Sequence, residues 1–388
     1  MGKRTIHFLT ASRAEYDLLA PVIERCAGDD RLAVGIIVAG AHLSPFHGSG
    51  IKLIEADGWP IVARLETLVA AESWSGRALS CAALIESLSR FWSAQRPDML
   101  FVAGDREEAL AGALVANFHR VFVAHSHGGD RCIASDVDEV LRPAISKLAH
   151  FHFAATDGHR QRLLKMGERP EHVFAVGAAG LDRLRALPDR PPAEIQAQLG
   201  VDLEKAFFLV IQHPTATMSP EQGGAQLRQL LEGALSLGHP VLCSYPNFDP
   251  GNIQMRAVIA ELQARQAPRL VVYHNLDRQT FVTLYRRCAA IVGNSSSLII
   301  ESSFLRVPAI LVGPRQDLRE RSANVLRVEP RRDDVAAACR RALEDAAFRA
   351  AVRQAPSLYG DGLSAARIAE ALATVPLSPE ILNKTMPY

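Results

Sequence analysis

The amino-acid sequence predicts an α/β protein built from two doubly wound parallel sheets in tandem. Three observations carry that prediction. Short apolar runs alternate with longer helix-like stretches through most of the 388 residues, as they do where parallel strands are covered by helices on both faces. The alternation stops between 187 and 205, where Pro188-Asp189-Arg190-Pro191-Pro192 leads into a polar amphipathic stretch, and then resumes. Polar residues and glycines follow the apolar runs, at the strand ends where a doubly wound sheet opens its ligand crevice. The expected organisation is a first Rossmann-like domain over 1–186, a linker over 187–205, a second Rossmann-like domain over 206–372 and a tail over 373–388 able to cross back onto the first. A cleft is expected where the carboxyl ends of the two sheets face each other.

In chain order, the first series of strand-like runs is 6–9, 34–38, 99–103, 121–124, 151–155 and 173–176, with helix-like stretches such as 18–26 and 82–93 between them. The second series is 207–211, 241–243, 270–273, 289–292 and 308–312, with helical segments such as 226–237 and 253–265. The stretch 381–388 carries no structural signal. No GxGxxG follows the first strand and no GxxxxGK[ST] occurs, which argues against a dinucleotide held by that fingerprint and against a P-loop NTPase.

Composition narrows the function classes. Hydrophobic residues make up 48% and charged residues 22% of the chain, enough apolar surface for substantial cores. A formal net charge of +1 gives no global field for nucleic acid or an anionic membrane, so any anion site must be local. The six cysteines lie without CxxC or Cys/His ligand spacing and read as reduced, mostly buried thiols of a cytoplasmic protein. The N-terminal residues lack a long apolar segment, Ile6 breaks the myristoylation pattern, and no uninterrupted apolar run approaches the ~20 residues of a membrane span.

Candidate chemistry sits after the strands. Ile291 and Val292 end an apolar run, Gly293-Asn294 turn the chain, and Ser295, Ser296 and Ser297 open a segment of helical character. Backbone N–H groups, hydroxyls and a positive helix end would converge there on a phosphate. Glu301 follows Ser297 by about one turn, roughly 3.6 residues, and would meet what that phosphate carries, such as a ribose diol. Phosphate and diol together describe a nucleotide. The plainer alternative is a serine-capped helix with a solvated Glu301, although Leu298 stands where a capping box needs Ser or Thr.

The other strand ends read in the same two ways. After the first strand, Arg13 suits a phosphate or carboxylate with Glu15 orienting it, or else forms a surface pair. Gly104-Asp105-Arg106 offers an acid at a strand tip with a cation beside it, or else Asp105 caps the helix that starts at Glu107. His125-Ser126-His127-Gly128-Gly129-Asp130, followed by Asp138, Glu139 and Arg142, gathers carboxylates that can stabilise a cationic transition state and exchange protons, or that are simply solvated. HxH without further ligand spacing is thin support for a metal, and none is expected. His213 is delivered to a strand end and followed by Pro214, and Arg315, beyond the serine turn, pairs with it as a diphosphate cation would.

With these segments in order, the sequence resembles the UDP-N-acetylglucosamine 2-epimerases, especially the hydrolysing branch that feeds sialic and legionaminic acid synthesis. The match runs from 5 to about 368 through SRAEYDLLAP, AGAHLSP, GDREE, HSHGGD, DEVLR, ISKLAHFHF, IQHPTAT, YPNFDPGN, GNSSS with Glu301, PRQDLR, NVLRV and Tyr359-Gly360-Asp361-Gly362. The resemblance implies the GT-B architecture of two facing Rossmann-like domains. It implies that Ser295, Ser296 and Arg315 hold the diphosphate, that Glu301 holds the ribose, and that Asp105, Asp130, Asp138 or Glu139, Arg142 and His213 surround the sugar. Departures from the family pattern touch the sugar side: a loop between Asp130 and Asp138 about two residues longer, Pro143 in place of a His, and Asp130 in place of a Glu. Leu318 replaces a Gly farther on.

The implied reaction eliminates UDP from C1 with loss of the C2 proton, then adds water to the resulting glycal with reprotonation of C2 on the other face. It needs no cofactor. The implied partners are the nucleotide-sugar substrate and further copies of the chain in a dimer or tetramer, with neither nucleic acid nor membrane. Three rival readings remain at this stage: a GT-B glycosyltransferase, a non-hydrolysing epimerase and a nucleotide-sugar sensor. Clustered acids favour elimination over transfer.

Overall fold

A computed structural model describes residues 2–44, 50–69, 73–132, 137–215, 217–247, 251–274 and 276–385. The chain forms two compact units, one of Met1–Asp130, Val137–Arg183 and Gly360–Tyr388, the other of Arg131–Asp136 and Leu184–Tyr359.

The first unit alternates strand and helix: β1 (Arg4–Thr10), α1 (Arg13–Ala27), β2 (Leu32–Ala39), α2 (Ile51–Asp57), β3 (Ile61–Leu65), α3 (Trp74–Ala94), β4 (Met99–Ala103), α4 (Glu107–Phe118), β5 (Phe122–Ser126), α5 (Asp138–Leu148), β6 (Phe151–Ala154), α6 (Asp157–Lys165) and β7 (Val173–Ala175). The chain leaves this unit within α7 (Gly180–Ala186). All seven strands are parallel in the order β3-β2-β1-β4-β5-β6-β7. Connections therefore turn back between β1 and β4, and the strand ends beside that reversal are where a doubly wound sheet binds ligands. Side chains alternate across β1: Ile6 and Phe8 enter one apolar core with Leu19 and Ile23 of α1, while Leu9 enters the other with Leu84 and Leu88 of α3.

The second unit runs α8 (Pro192–Leu199), β8 (Phe208–Ile211), α9 (Pro220–Leu235), β9 (Val241–Ser244), α10 (Asn252–Gln266), β10 (Leu270–Tyr273), α11 (Arg278–Arg287), β11 (Ala290–Gly293), α12 (Ile300–Leu305), β12 (Ala309–Val312), β13 (Val325–Val328), α13 (Arg332–Glu344) and α14 (Ala346–Gln354). Its six parallel strands lie in the order β10-β9-β8-β11-β12-β13, with the reversal between β8 and β11. Gly293 makes that pairing possible: its φ is +141°, and a Cβ would stand 2.0 Å from the Ile211 carbonyl oxygen.

Both sheets thus bear out the expected class, and each has one strand more than expected. β3 and β13 are edge strands without a fully buried residue, and Arg64 and Arg327 interrupt their apolar character, so neither reads as a run.

The boundaries also differ. Residues 187–205 do not form a bare linker: they contain α8, and Arg190 ties them to α11 through Thr280 at 2.7 Å and Asp277 at 3.3 Å. The expected end of the second domain at 372 moves to 359. The following helix α15 (Ser364–Thr374) puts Ala365, Ile368, Ala369 and Leu372 into the core that holds Leu19 and Ile23. The Asp182 carboxylate accepts from the first two backbone N–H groups of α15, Ser364 at 3.0 Å and Ala365 at 2.7 Å, and Arg4 donates to Leu372 and Val375 carbonyls at its far end. Nor is the tail featureless. A short α16 (Pro379–Leu382) is followed by Lys384, which pairs with Glu168.

Candidate active site

In the first unit, a Gly104 φ of +82° turns the chain at the end of β4 and presents Asp105. Asp105 does not cap α4, whose N-cap is Arg106 without a side-chain bond. Its carboxylate instead meets Nη2 of Arg142, a side chain only 3% exposed. Nη1 of the same guanidinium donates to the Asp130 carbonyl at 2.7 Å and to Glu139 Oε1 at 3.0 Å. One buried cation thereby draws together β4, the loop after β5 and the first turns of α5. Asp138, beside Glu139, lies 3.9 Å from Arg77, which makes a two-bond pair with Glu107 at 2.8 and 2.6 Å.

The loop between β5 and α5 is shaped by close approach. Gly129 has a φ of +77°, and a Cβ there would come within 2.3 Å of the His159 carbonyl oxygen. Asp130 is buried, with Oδ1 3.3 Å from His159 Nε2. His125 is a strut: Nε2 lies 2.8 Å from the Gly104 carbonyl oxygen and Nδ1 3.1 Å from Ser146 Oγ. A carbonyl only accepts, so Nε2 carries the proton, and burial holds the ring neutral with its pKa lowered to about 3. Among the described residues no group of His, Cys, Asp and Glu is placed to hold a metal ion. The expected lengthening of the loop between Asp130 and Asp138 falls on 133–136, outside the described residues.

Glu15 does not orient Arg13. Its carboxylate turns back to the N–H groups of Ala11 and Ser12, at 2.9 and 3.0 Å, and closes a capping box on α1, while Arg13 is exposed. Burial, with Glu108 nearby, pushes the Glu15 carboxyl up. Arg106 lies 3.4 Å from Glu108 and 3.9 Å from Glu107, the carboxylate that also pairs with Arg77. Pro143 is exposed on α5.

In the second unit the centre is Asn294, buried at 1% exposure just past β11. It clasps the strand across the reversal: its Oδ1 accepts from the His213 N–H at 2.8 Å and its Nδ2 donates to the His213 carbonyl at 2.8 Å. Its own carbonyl accepts from Arg315 Nη1 at 3.1 Å and Gln316 Nε2 at 3.0 Å. His213 is half-buried, and its Nδ1 accepts from the Asn247 N–H at 3.3 Å. Cys132, which belongs to this unit, lies with Sγ 3.3 Å from the Arg315 carbonyl oxygen.

The serines separate into roles. Ser296–Leu298 is a 3-10 turn rather than the start of a continuous helix, and α12 follows it. Ser295 Oγ accepts from the Ser297 N–H at 3.4 Å. The Ser297 hydroxyl is committed to Glu301 and to Tyr285, whose own hydroxyl donates to the Ser297 carbonyl at 2.7 Å. Ser296, half-buried, opens the 3-10 turn. Glu301 also meets Arg278 Nη2 at 3.5 Å. Sequence reasoning missed Arg278 and Gln316. Arg278 comes from the first turn of α11, with no local pattern linking it to Glu301, whereas Gln316 beside Arg315 was open to notice.

Comparison with known proteins places these features in context. The family model for UDP-N-acetylglucosamine 2-epimerase matches residues 24–373. The UDP-N,N'-diacetylbacillosamine 2-epimerase (hydrolyzing) of Legionella pneumophila is 33% identical over 385 residues, 99% of this chain and 100% of that protein. The GDP/UDP-N,N'-diacetylbacillosamine 2-epimerase (hydrolyzing) of Campylobacter jejuni is 28% identical over 84% of each chain. The crystal structure of UDP-GlcNAc 2-epimerase from Neisseria meningitidis bound to UDP-GlcNAc superposes with a TM-score of 0.80 at 16% identity, covering 96% of this chain and 100% of that one.

Proposed function

The chain belongs to the UDP-N-acetylglucosamine 2-epimerase family, and on that premise we propose that it is a hydrolysing 2-epimerase of a UDP-2-acetamido sugar, releasing UDP and the 2-epimeric free sugar. One observation carries the reading at the level of chemistry: the buried Arg142 gathers Asp105, Glu139 and the Asp130 carbonyl at one point beside the first unit's strand reversal. Carboxylates ordered around one cation in this way suit a sugar that becomes electron-poor at C1 and then gives up the C2 proton. The relatives of Legionella pneumophila and Campylobacter jejuni, matched over 99% and 84% of this chain, act on a diacetamido sugar, which favours that substrate over UDP-N-acetylglucosamine.

In the proposed mechanism, Arg315 and Ser296 with Ser295 hold the diphosphate, and Glu301, oriented by Ser297 and Arg278, holds the ribose. The Asn294 clasp fixes Arg315 and His213 relative to one another. The C1–O bond breaks with its electron pair leaving on the diphosphate. A carboxylate of the set Asp105, Asp130, Asp138 and Glu139 takes the C2 proton, which gives the glycal. Water then supplies hydroxyl to C1, and a proton returns to C2 on the opposite face. The six cysteines form no disulfide, as suits the cytoplasm, and the match at 27% identity over 84% of this chain to the polysialic acid biosynthesis protein P7 of Escherichia coli supports a place in sialic or legionaminic acid precursor synthesis.

A reaction in heavy water tests this. The released sugar is expected to carry deuterium at C2 in the inverted configuration, and in oxygen-labelled water the label enters the C1 hydroxyl. Released sugar that keeps its C2 hydrogen and configuration would reduce the protein to a nucleotide-sugar hydrolase. No release without an added acceptor would make it a transferase.

A further inference from the structure

Helix α5 carries Asp138, Glu139 and Arg142 in its first turns, and its opposite end is held by a residue from the far end of the chain. The Lys384 ammonium donates to three carbonyls there: Ser146 at 3.2 Å, Lys147 at 3.1 Å and Ala149 at 2.7 Å. A helix end leaves such carbonyls without partners and carries partial negative charge, so a cation is favoured at that place. The same ammonium lies 2.5 Å from Glu168, whose side chain is 2% exposed. Glu168 also receives Lys147 at 2.7 Å and the buried His152 at 2.9 Å. Arg120 secures the neighbouring Asn383 side chain at 2.9 Å.

From this end of α5 a chain of contacts leads to the acids. Ser146 meets His125, and His125 meets the Gly104 carbonyl, one residue before Asp105. At the other end of the helix Arg142 holds Asp105 directly. The helix is therefore latched to the β4 end at two places, and its position along its own axis decides whether both latches close.

We propose that Lys384 is a positioning residue of the acid constellation, locking α5 in the register that brings Arg142 and Glu139 to Asp105. This rests on the epimerase reading above. Burial pushes the Glu168 carboxyl up, but the hydrogen bond from His152 and the two ammonium groups outweigh it and leave the carboxyl at about 2, so it stays a fixed anion for Lys384 across the working pH range.

The test compares Lys384→Met, which keeps length and loses the charge, with Lys384→Arg, which keeps the charge. Nucleotide release from a UDP-sugar is measured per UDP-binding site counted by calorimetry, so that misfolded protein drops out of the comparison. Lys384→Met is expected to lower kcat about 10- to 100-fold, the scale of a displaced catalytic group, with KM and UDP affinity within about twofold and with faster amide exchange along α5. Lys384→Arg is expected to recover most of kcat. Should Lys384→Met fail to fold, Lys384→Gln replaces it with the same readings. An unchanged kcat per site, or a loss shared equally with UDP affinity, overturns the proposal. Failure of the parent enzyme to release nucleotide would instead remove the epimerase reading, while the exchange comparison would still decide whether Lys384 holds α5.

Discussion

The two units share one topology and equip it differently. Beside its strand reversal the first unit sets Asp105, Glu139 and Asp138 against Arg142 and Arg77, in pairs whose arginine is wholly or mostly buried. At the matching place the second unit has a neutral centre, Asn294, which holds one backbone strand end with two bonds and two side chains with its carbonyl. Charges held by other charges keep a defined geometry yet remain able to exchange protons, which a reacting sugar requires. Amides and hydroxyls fixed by backbone hold a shape without titrating, which suits a nucleotide that is held while it departs and exchanges no proton with the protein. On the proposed mechanism, the same fold divides a two-part task by the residues placed at one topological position.

The sharpest way to break this comparison is to remove one charge from the first unit. Asp105→Asn is expected to lower kcat by about 100- to 10,000-fold, the range of a lost acid–base group, while calorimetry with UDP gives the parent affinity. Equal losses in both would mean that the first unit also holds the nucleotide.

Acid should separate the units next. Burial lowers the pKa of His7, His42 and His150 to about 4 and of His125 to about 3, all in the first unit, whereas His213, His239 and His274 of the second are all at least partly exposed. A base whose folded pKa lies below its unfolded value of about 6.5 takes up protons only on unfolding in the interval between, so stability falls as pH drops from about 6.5 towards 4. Each such residue removes about 1 to 2 kcal/mol by pH 5, and the four together outweigh Glu15, whose raised carboxyl works in the opposite sense. All three tryptophans, Trp59, Trp74 and Trp92, lie in the first unit. At pH 5 the tryptophan fluorescence transition in urea is expected at lower denaturant than the far-UV circular dichroism transition, with the gap narrowing at pH 7.5. Coincident transitions at both pH values would show the units unfolding as one.

The smallest effects belong to the second unit. Glu301→Ala should weaken UDP binding by about 1 to 3 kcal/mol and Ser296→Ala by about 1 kcal/mol, with kcat at saturation nearly unchanged. If Glu301→Ala binds UDP as the parent does, the ribose role is wrong and the Ser297–Arg278 bonds serve the fold alone.

Much of this was readable before any coordinates. Strands buried on both faces, such as β4 and β11, announce themselves as apolar runs, and the residues they deliver, Asp105 and Asn294, stand where a sheet meets its ligand. The edge strands β3 and β13 were not readable, because half-exposed strands tolerate Arg64 and Arg327. Within the site, residue positions were legible but their partners were not. Asn294 reads as a turn residue and acts as a clasp; Ser297 reads as a phosphate donor and orients a carboxylate. Lys384 has no local pattern at all, since the atoms it bonds, at the end of α5 and on Glu168, lie more than 200 residues away in the sequence. Pairings of that kind depend on tertiary geometry, which periodicity does not encode.

The place of α15 has a consequence for synthesis. Its Ile368 and Leu372 complete the core around Leu19 and Ile23, yet they leave the ribosome nearly 200 residues after the first unit's main segment ends at Arg183. At bacterial-scale elongation of about 5 to 20 residues per second, that is about 10 to 40 s during which the part of α1 that α15 covers stays exposed, while its sheet-facing side is already packed on Ile6 and Phe8. The second unit, almost contiguous in sequence, can close within that interval. A nascent chain stalled when only the residues before 360 have left the ribosome should therefore hold a finished second unit and a first unit still open to chaperone binding, which closes only when α15 emerges.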